Sequence, residues 1–110
     1  MNQEILLVAT TAPDHECARK IAHALVSERL AACVNLMSAC ESVYRWQGEV
    51  QSDSEIPMLI KTTQLAYQAL AARLLELHPY DTPELLAWAA DHASPAYSAW
   101  VIASTIDAAG

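Results

Sequence analysis

Glu84-Leu85-Leu86-Ala87-Trp88-Ala89-Ala90 decides how this chain folds. Leucine and alanine favour helix, but the run is only seven residues long and starts directly after Pro83. As a short strand it brings the chain back to a sheet after a long helix, and that reading suits a domain of this size. Upstream, Leu65 to Leu77 is that helix. Ala66, Leu70, Leu74 and Leu77 form one apolar stripe, and Leu65, Ala69, Ala72 and Leu75 or Glu76 widen it. It stops at His78-Pro79-Tyr80-Asp81-Thr82-Pro83, where each proline disfavours helical angles in the residue before it. Downstream, Ser94-Pro95 opens a last helix with a capping hydroxyl and a proline in its first turn. Tyr97, Trp100 and Val101 give that helix an apolar side, and Asp107 to Gly110 is expected to fray.

Further outward, Glu49 to Thr62 reads as a strand. Met58, Ile60 and Thr62 share one face, and Leu59 and Lys61 share the other. Pro57 has no N–H to give a central ladder, so an edge position or a bulge is expected there. Gln47-Gly48 offers the hairpin turn from Val43-Tyr44-Arg45-Trp46, and Ala32 to Leu36 starts the strand before it. Asp14 caps a helix whose stripe is Ala18, Ile21, Ala22 and Leu25, with Arg29 in its last turn. Ile5 to Ala9 is the first strand. The order strand, helix, strand, strand, helix, strand, helix defines the fold class as α+β. It predicts a ferredoxin-like split βαβ sandwich: an antiparallel sheet, two helices on one face and a C-terminal helix, in one domain spanning residues 1–110. The other sheet face needs a cover, and a second copy of the chain is the economical one.

Composition narrows the function. Of 110 residues, 54% are apolar and 17% charged, so the chain is no disordered acidic tail. Six basic against thirteen acidic side chains leave a formal charge of -7, which argues against nucleic acid as a partner. No apolar run reaches the eighteen residues of a membrane span, and Met1-Asn2-Gln3-Glu4 has no basic region of a secretory signal. A small domain cannot hide so much apolar surface alone, so a cytoplasmic homo-oligomer is expected. Cys17, Cys33 and Cys40 form no CxxC and match no structural zinc spacing. With glycine only at 48 and 110, there is no Walker loop, G-x-G-x-x-G or G-x-S-x-G. Nothing in the pattern points to an enzyme or to an organic cofactor.

Three groups of residues can carry chemistry. His78 and Tyr80 flank Pro79, with Asp81 and Glu84 close behind; imidazole and carboxylate can share a borderline metal, or the group can hold a small polar metabolite. The alternative is a turn in which His78 and Tyr80 cap and pack. Lys61, one of two lysines, ends the apolar run Ile56 to Ile60 and either snorkels or faces the His78 loop, holding an anion or pairing with Glu84. Tyr44 and Trp46 share a strand face, and Tyr97 and Trp100 lie three apart on the last helix; each pair lines a pocket or anchors a subunit contact.

Thr11-Ala12-Pro13, Arg29-Leu30-Ala31-Ala32-Cys33-Val34-Asn35, Tyr44-Arg45-Trp46-Gln47-Gly48, Ile60-Lys61-Thr62-Thr63, His78-Pro79-Tyr80-Asp81-Thr82-Pro83-Glu84 and Tyr97-Ser98-Ala99-Trp100 occur in that order. Together they resemble the CutA divalent-cation tolerance family nearly end to end. The resemblance implies a tightly packed homotrimer of PII-like architecture and a role in tolerance of copper or another divalent cation. It maps a candidate pocket between subunits onto Tyr44, Trp46, Lys61, His78, Tyr80 and Glu84, with Tyr97 and Trp100 nearby; His78 and Glu84 are its expected metal ligands. The alternative it carries is a PII-like sensor of a small anionic metabolite, centred on Lys61. Where some relatives place a cysteine at the end of the first strand, this chain has Thr10, and Cys17 and Cys40 are local additions.

Overall fold

The computed structural model describes residues 4–106, so the expected fraying after Ile106 lies outside the described residues. Strand β1 (Ile5–Ala12) is followed by helix α1 (His15–Ser27), β2 (Cys33–Leu36), β3 (Cys40–Trp46), β4 (Glu49–Thr63), α2 (Gln64–Leu77), β5 (Leu86–Ala89) and α3 (Pro95–Ser104). The deciding segment is a strand, as its length and leading proline require. All pairings are antiparallel in the order β2-β4-β1-β5, with β3 continuing along β4 beyond β2. This is the ferredoxin-like α+β arrangement, its second strand broken into β2 and β3.

The break lies at Pro57. Leu36 pairs with Met58 and Cys40 with Glu55, so residues 37–39 face only Ile56 and Pro57. Pro57 accepts from the Met37 N–H but has no N–H to return. The expected bulge is therefore on the partner strand, opposite the proline. Beyond it the β3–β4 hairpin projects as an arm with almost every residue exposed. Fifteen residues of β4 at about 3.3 Å each reach roughly 50 Å, the whole long axis of a molecule measuring 47 × 25 × 24 Å. The arm turns at Gln47 (φ 49°) and Gly48 (φ 83°), the paired positive angles of a two-residue hairpin.

Even-numbered residues of β1 and β4 (Val8, Ala12, Met58, Ile60) face α1 and α2 and form the core with Ala18, Ile21, Leu25, Leu70 and Leu74. Asp14 caps α1 by accepting from the Cys17 N–H, and Ser94 caps α3 by accepting from the Tyr97 N–H. The stripe on α2 is narrower than its sequence suggests. Leu65, Ala69, Ala72, Leu75 and Glu76 are all exposed, because the helix has the sheet beneath it and no layer above. Arg29 also departs from expectation. It lies beyond α1 with φ 62°, and its guanidinium donates to the carbonyls of Ala103 (2.8 Å) and Thr105 (3.4 Å) at the end of α3. The Ile106 N–H returns a bond to the Arg29 carbonyl at 2.9 Å. This clasp seats α3 on the opposite sheet face, where Val101 packs with Ile5 and Ala32. The rest of that face stays open: Leu86 is 60% and Trp88 47% exposed.

Candidate functional site

Where the arm leaves the body of the sheet, it faces the loop that follows α2. The two enclose a cleft of about 760 Å³ lined by Tyr44 and Trp46 from β3, Glu55 from β4, Thr11 from β1, and residues 80–84. Strand alternation puts Ser42, Tyr44 and Trp46 on the face towards the loop. The two prolines stiffen the loop opposite them and present Tyr80, Asp81 and Glu84.

Glu55 is the hub. Its Oε2 accepts from the Tyr80 hydroxyl at 2.9 Å and from Thr11 Oγ1 at 3.2 Å. Tyr44 donates its hydroxyl to Asp53 on the same face of the arm. Burial, then the bond to Glu55, pushes the Tyr80 phenol above its ordinary range. The bond to Asp53 is the main cause of the upward shift at Tyr44. Both phenols therefore stay protonated at neutral pH and act as donors that hold carboxylates in place. The sequence reading missed Glu55, Asp53 and Thr11. A signal was present in Glu55, a charged residue placed where β4 turns from exposed to buried.

His78 is not in the cleft but beneath it, 7% exposed. Its Nε2–H donates to the Thr11 carbonyl at 2.6 Å, and its Nδ1 accepts from the Tyr80 N–H at 3.2 Å. Both nitrogens are committed, so the imidazole has no lone pair left for a metal. In this chain the ring acts as a latch: it ties the loop to the end of β1 and lies 4.7 Å from the ring of Tyr80. Glu84 does line the cleft, exposed at its rim.

The remaining residues lie elsewhere in the chain. Lys61 sits six residues along β4 from Glu55, about 20 Å away by strand rise. It pairs with Cys33 in register and donates to the side chain of Asn35. Within one chain, Lys61 and the His78 loop do not meet. Tyr97 and Trp100 are on α3, their rings 5.7 Å apart. Burial, and secondarily the neighbouring Cys33, raises the Tyr97 pKa. Cys17, Cys33 and Cys40 are free thiols on three different elements, and none lines the cleft. Burial, then Asp14, pushes the Cys17 thiol up, away from the thiolate that a metal needs. Among the described residues, no three His, Cys, Asp or Glu side chains are grouped to hold a metal ion. One chain therefore offers carboxylate oxygens at the cleft but not a closed set of ligands.

Residues 6–104 match the family model described as CutA1 divalent ion tolerance protein. The chain is 46% identical over 103 residues to the divalent-cation tolerance protein CutA of Thermus thermophilus, covering 94% of this chain and 98% of that protein. Its fold superposes on the solved Thermus thermophilus structure with a TM-score of 0.89, over 92% of this chain and 98% of that one. The CutA1 structure from Oryza sativa gives a TM-score of 0.93 at 36% identity, covering 97% and 98%.

Proposed function

Because the chain belongs to the CutA1 divalent ion tolerance family, we propose that it works as a cytoplasmic homotrimer that engages copper or another divalent metal ion at clefts between its subunits. Family membership establishes the general role in divalent-cation tolerance. The observation that carries the finer reading is the open sheet face. Leu86 and Trp88 lie exposed on the face that α3 covers only at one end. Copies of the chain, packed face to face, would bury that surface. The same packing would bring a neighbour up to the arm, where Glu55, Asp81 and Glu84 supply oxygens that one chain cannot arrange into a full coordination shell.

No catalytic step belongs to this reading. No described helix is long and apolar enough to cross a membrane. The alternative, a sensor of a small anionic metabolite centred on Lys61, needs a neighbouring subunit to bring that lysine to the cleft, since within one chain it lies far along β4.

Native mass spectrometry of protein purified without chelator tests the reading, reporting subunit number and retained metal together. A trimer is expected. Trp88→Glu should shift it towards monomer, and Glu84→Gln should weaken copper or zinc retention without changing assembly. A wild-type monomer at micromolar concentration overturns the assembly. Full metal retention in Glu84→Gln removes Glu84 from the site.

A further inference from the structure

We infer that the cleft between the arm and the loop after α2 takes an organic cation, an ammonium or guanidinium head carried on an apolar or aromatic body. The inference rests on the reading of this cleft as the binding site and names the class of small molecule it would hold besides a metal. Size is the first argument. A divalent ion with six waters fills roughly 200 Å³ at about 30 Å³ per water, whereas the cleft measures about 760 Å³, within the range of small-molecule sites.

Charge is the second argument. From one chain, Glu55, Asp81 and Glu84 line the cleft against a single cation, Arg45, whose guanidinium turns to the Gly48 carbonyl at 3.4 Å. An anionic ligand would meet net repulsion there. The third argument is the walls. Trp46 is 42% and Tyr44 39% exposed, leaving ring surface open to a cation. Glu55 is held from one side only. Thr11 and Tyr80 both donate to its Oε2, and among the described residues no bond engages Oε1. A half-buried carboxylate, pre-oriented by two hydroxyls and with one oxygen free, suits an N–H donor on a ligand.

The test is calorimetry on the full chain with tyramine, agmatine and, as the charge-reversed comparator, p-hydroxyphenylacetate. Tyramine and agmatine should bind and p-hydroxyphenylacetate should not. Glu55→Gln, which keeps the shape and an acceptor for Thr11 and Tyr80, should weaken the amines at least about tenfold. Trp46→Ala should cost about two- to fivefold. Should Glu55→Gln fail to fold, Glu84→Gln at the exposed rim should still lower amine affinity. Copper is titrated into the same protein. Copper binding without amine binding overturns this inference and leaves the metal reading standing, whereas amine binding without copper binding does the reverse. Tighter binding of p-hydroxyphenylacetate than of tyramine, or unchanged amine affinity in both carboxylate variants, refutes the organic-cation site.

Discussion

Replacing His78 with alanine separates a latch from a ligand. The wild-type ring makes two hydrogen bonds, to the Thr11 carbonyl at 2.6 Å and from the Tyr80 N–H at 3.2 Å, and packs at 4.7 Å against the Tyr80 ring. Each bond contributes about 1 kcal/mol, and a buried group left unpaired costs about 1–3 kcal/mol. The ring contact adds about 0.5–1.5 kcal/mol. The loop end of the Tyr80 N–H reaches solvent and recovers part of its bond, so the expected loss is about 3 kcal/mol. At roughly 4–8 °C per kcal/mol for a chain of this size, Tm should fall by at least about 10 °C. Copper affinity should change little, since the imidazole has no free lone pair. His78→Gln, which can still donate to the Thr11 carbonyl but offers no ring acceptor to Tyr80, should lose about half as much. Thermal unfolding followed by circular dichroism, beside copper calorimetry, reads both quantities. If His78→Ala unfolds at the wild-type temperature and loses a stoichiometric copper site, the latch reasoning is wrong and the ring is a ligand.

Three further outcomes follow from the geometry. The raised Tyr80 pKa means the folded state holds that proton more tightly than the unfolded one; the associated stability is intact below pH ~10 and is lost as pH rises beyond it. Tyr80→Phe should flatten that alkaline loss, and equal alkaline sensitivity of both proteins in denaturant titrations would exclude the Tyr80–Glu55 bond as its source. Thr10 Oγ1 is the one buried side-chain polar atom without a partner among the described residues. Thr10→Val should therefore stabilise by about 1 kcal/mol, and a lower denaturation midpoint would show that the hydroxyl is satisfied in solution. Cys17→Ser combined with Cys40→Ser should keep copper binding, because neither thiol lines the cleft, Cys17 lying on α1 and Cys40 pairing across the ladder with Glu55; loss of the copper site in that double variant, with assembly unchanged, counts against a carboxylate site.

The cleft also gives the arm a purpose that packing alone does not. Most of the arm's surface is exposed, and an isolated two-stranded ribbon is marginal in water. In a trimer the arm could be braced by a neighbour. In one chain it is tied down through Glu55, whose bonds to Thr11 and Tyr80 join β4 to β1 and to the loop.

What the sequence determined by itself was local. Period-two alternation placed Met58, Ile60 and Thr62 on the buried face, and helical spacing placed Ala18, Ile21 and Leu25. Asp14, Ser94 and the Gln47-Gly48 turn marked ends because capping and positive φ are properties of a few adjacent residues. Pro57 announced a fault in the ladder for the same reason. Even the widened stripe on α2 was a fair reading of spacing; spacing cannot say whether a second layer lies above a helix. The site belonged to tertiary structure. Thr11 and Glu55 are 44 residues apart, and Tyr80 lies another 25 beyond Glu55. No periodicity links such positions, because the contact exists only once β1 and β4 are in register and the loop after α2 has returned over them. His78 shows the same limit most sharply. Its neighbours in the chain left open a ligand and a residue that caps and packs, and only the folded structure placed the Thr11 carbonyl and the Tyr80 N–H against its two nitrogens.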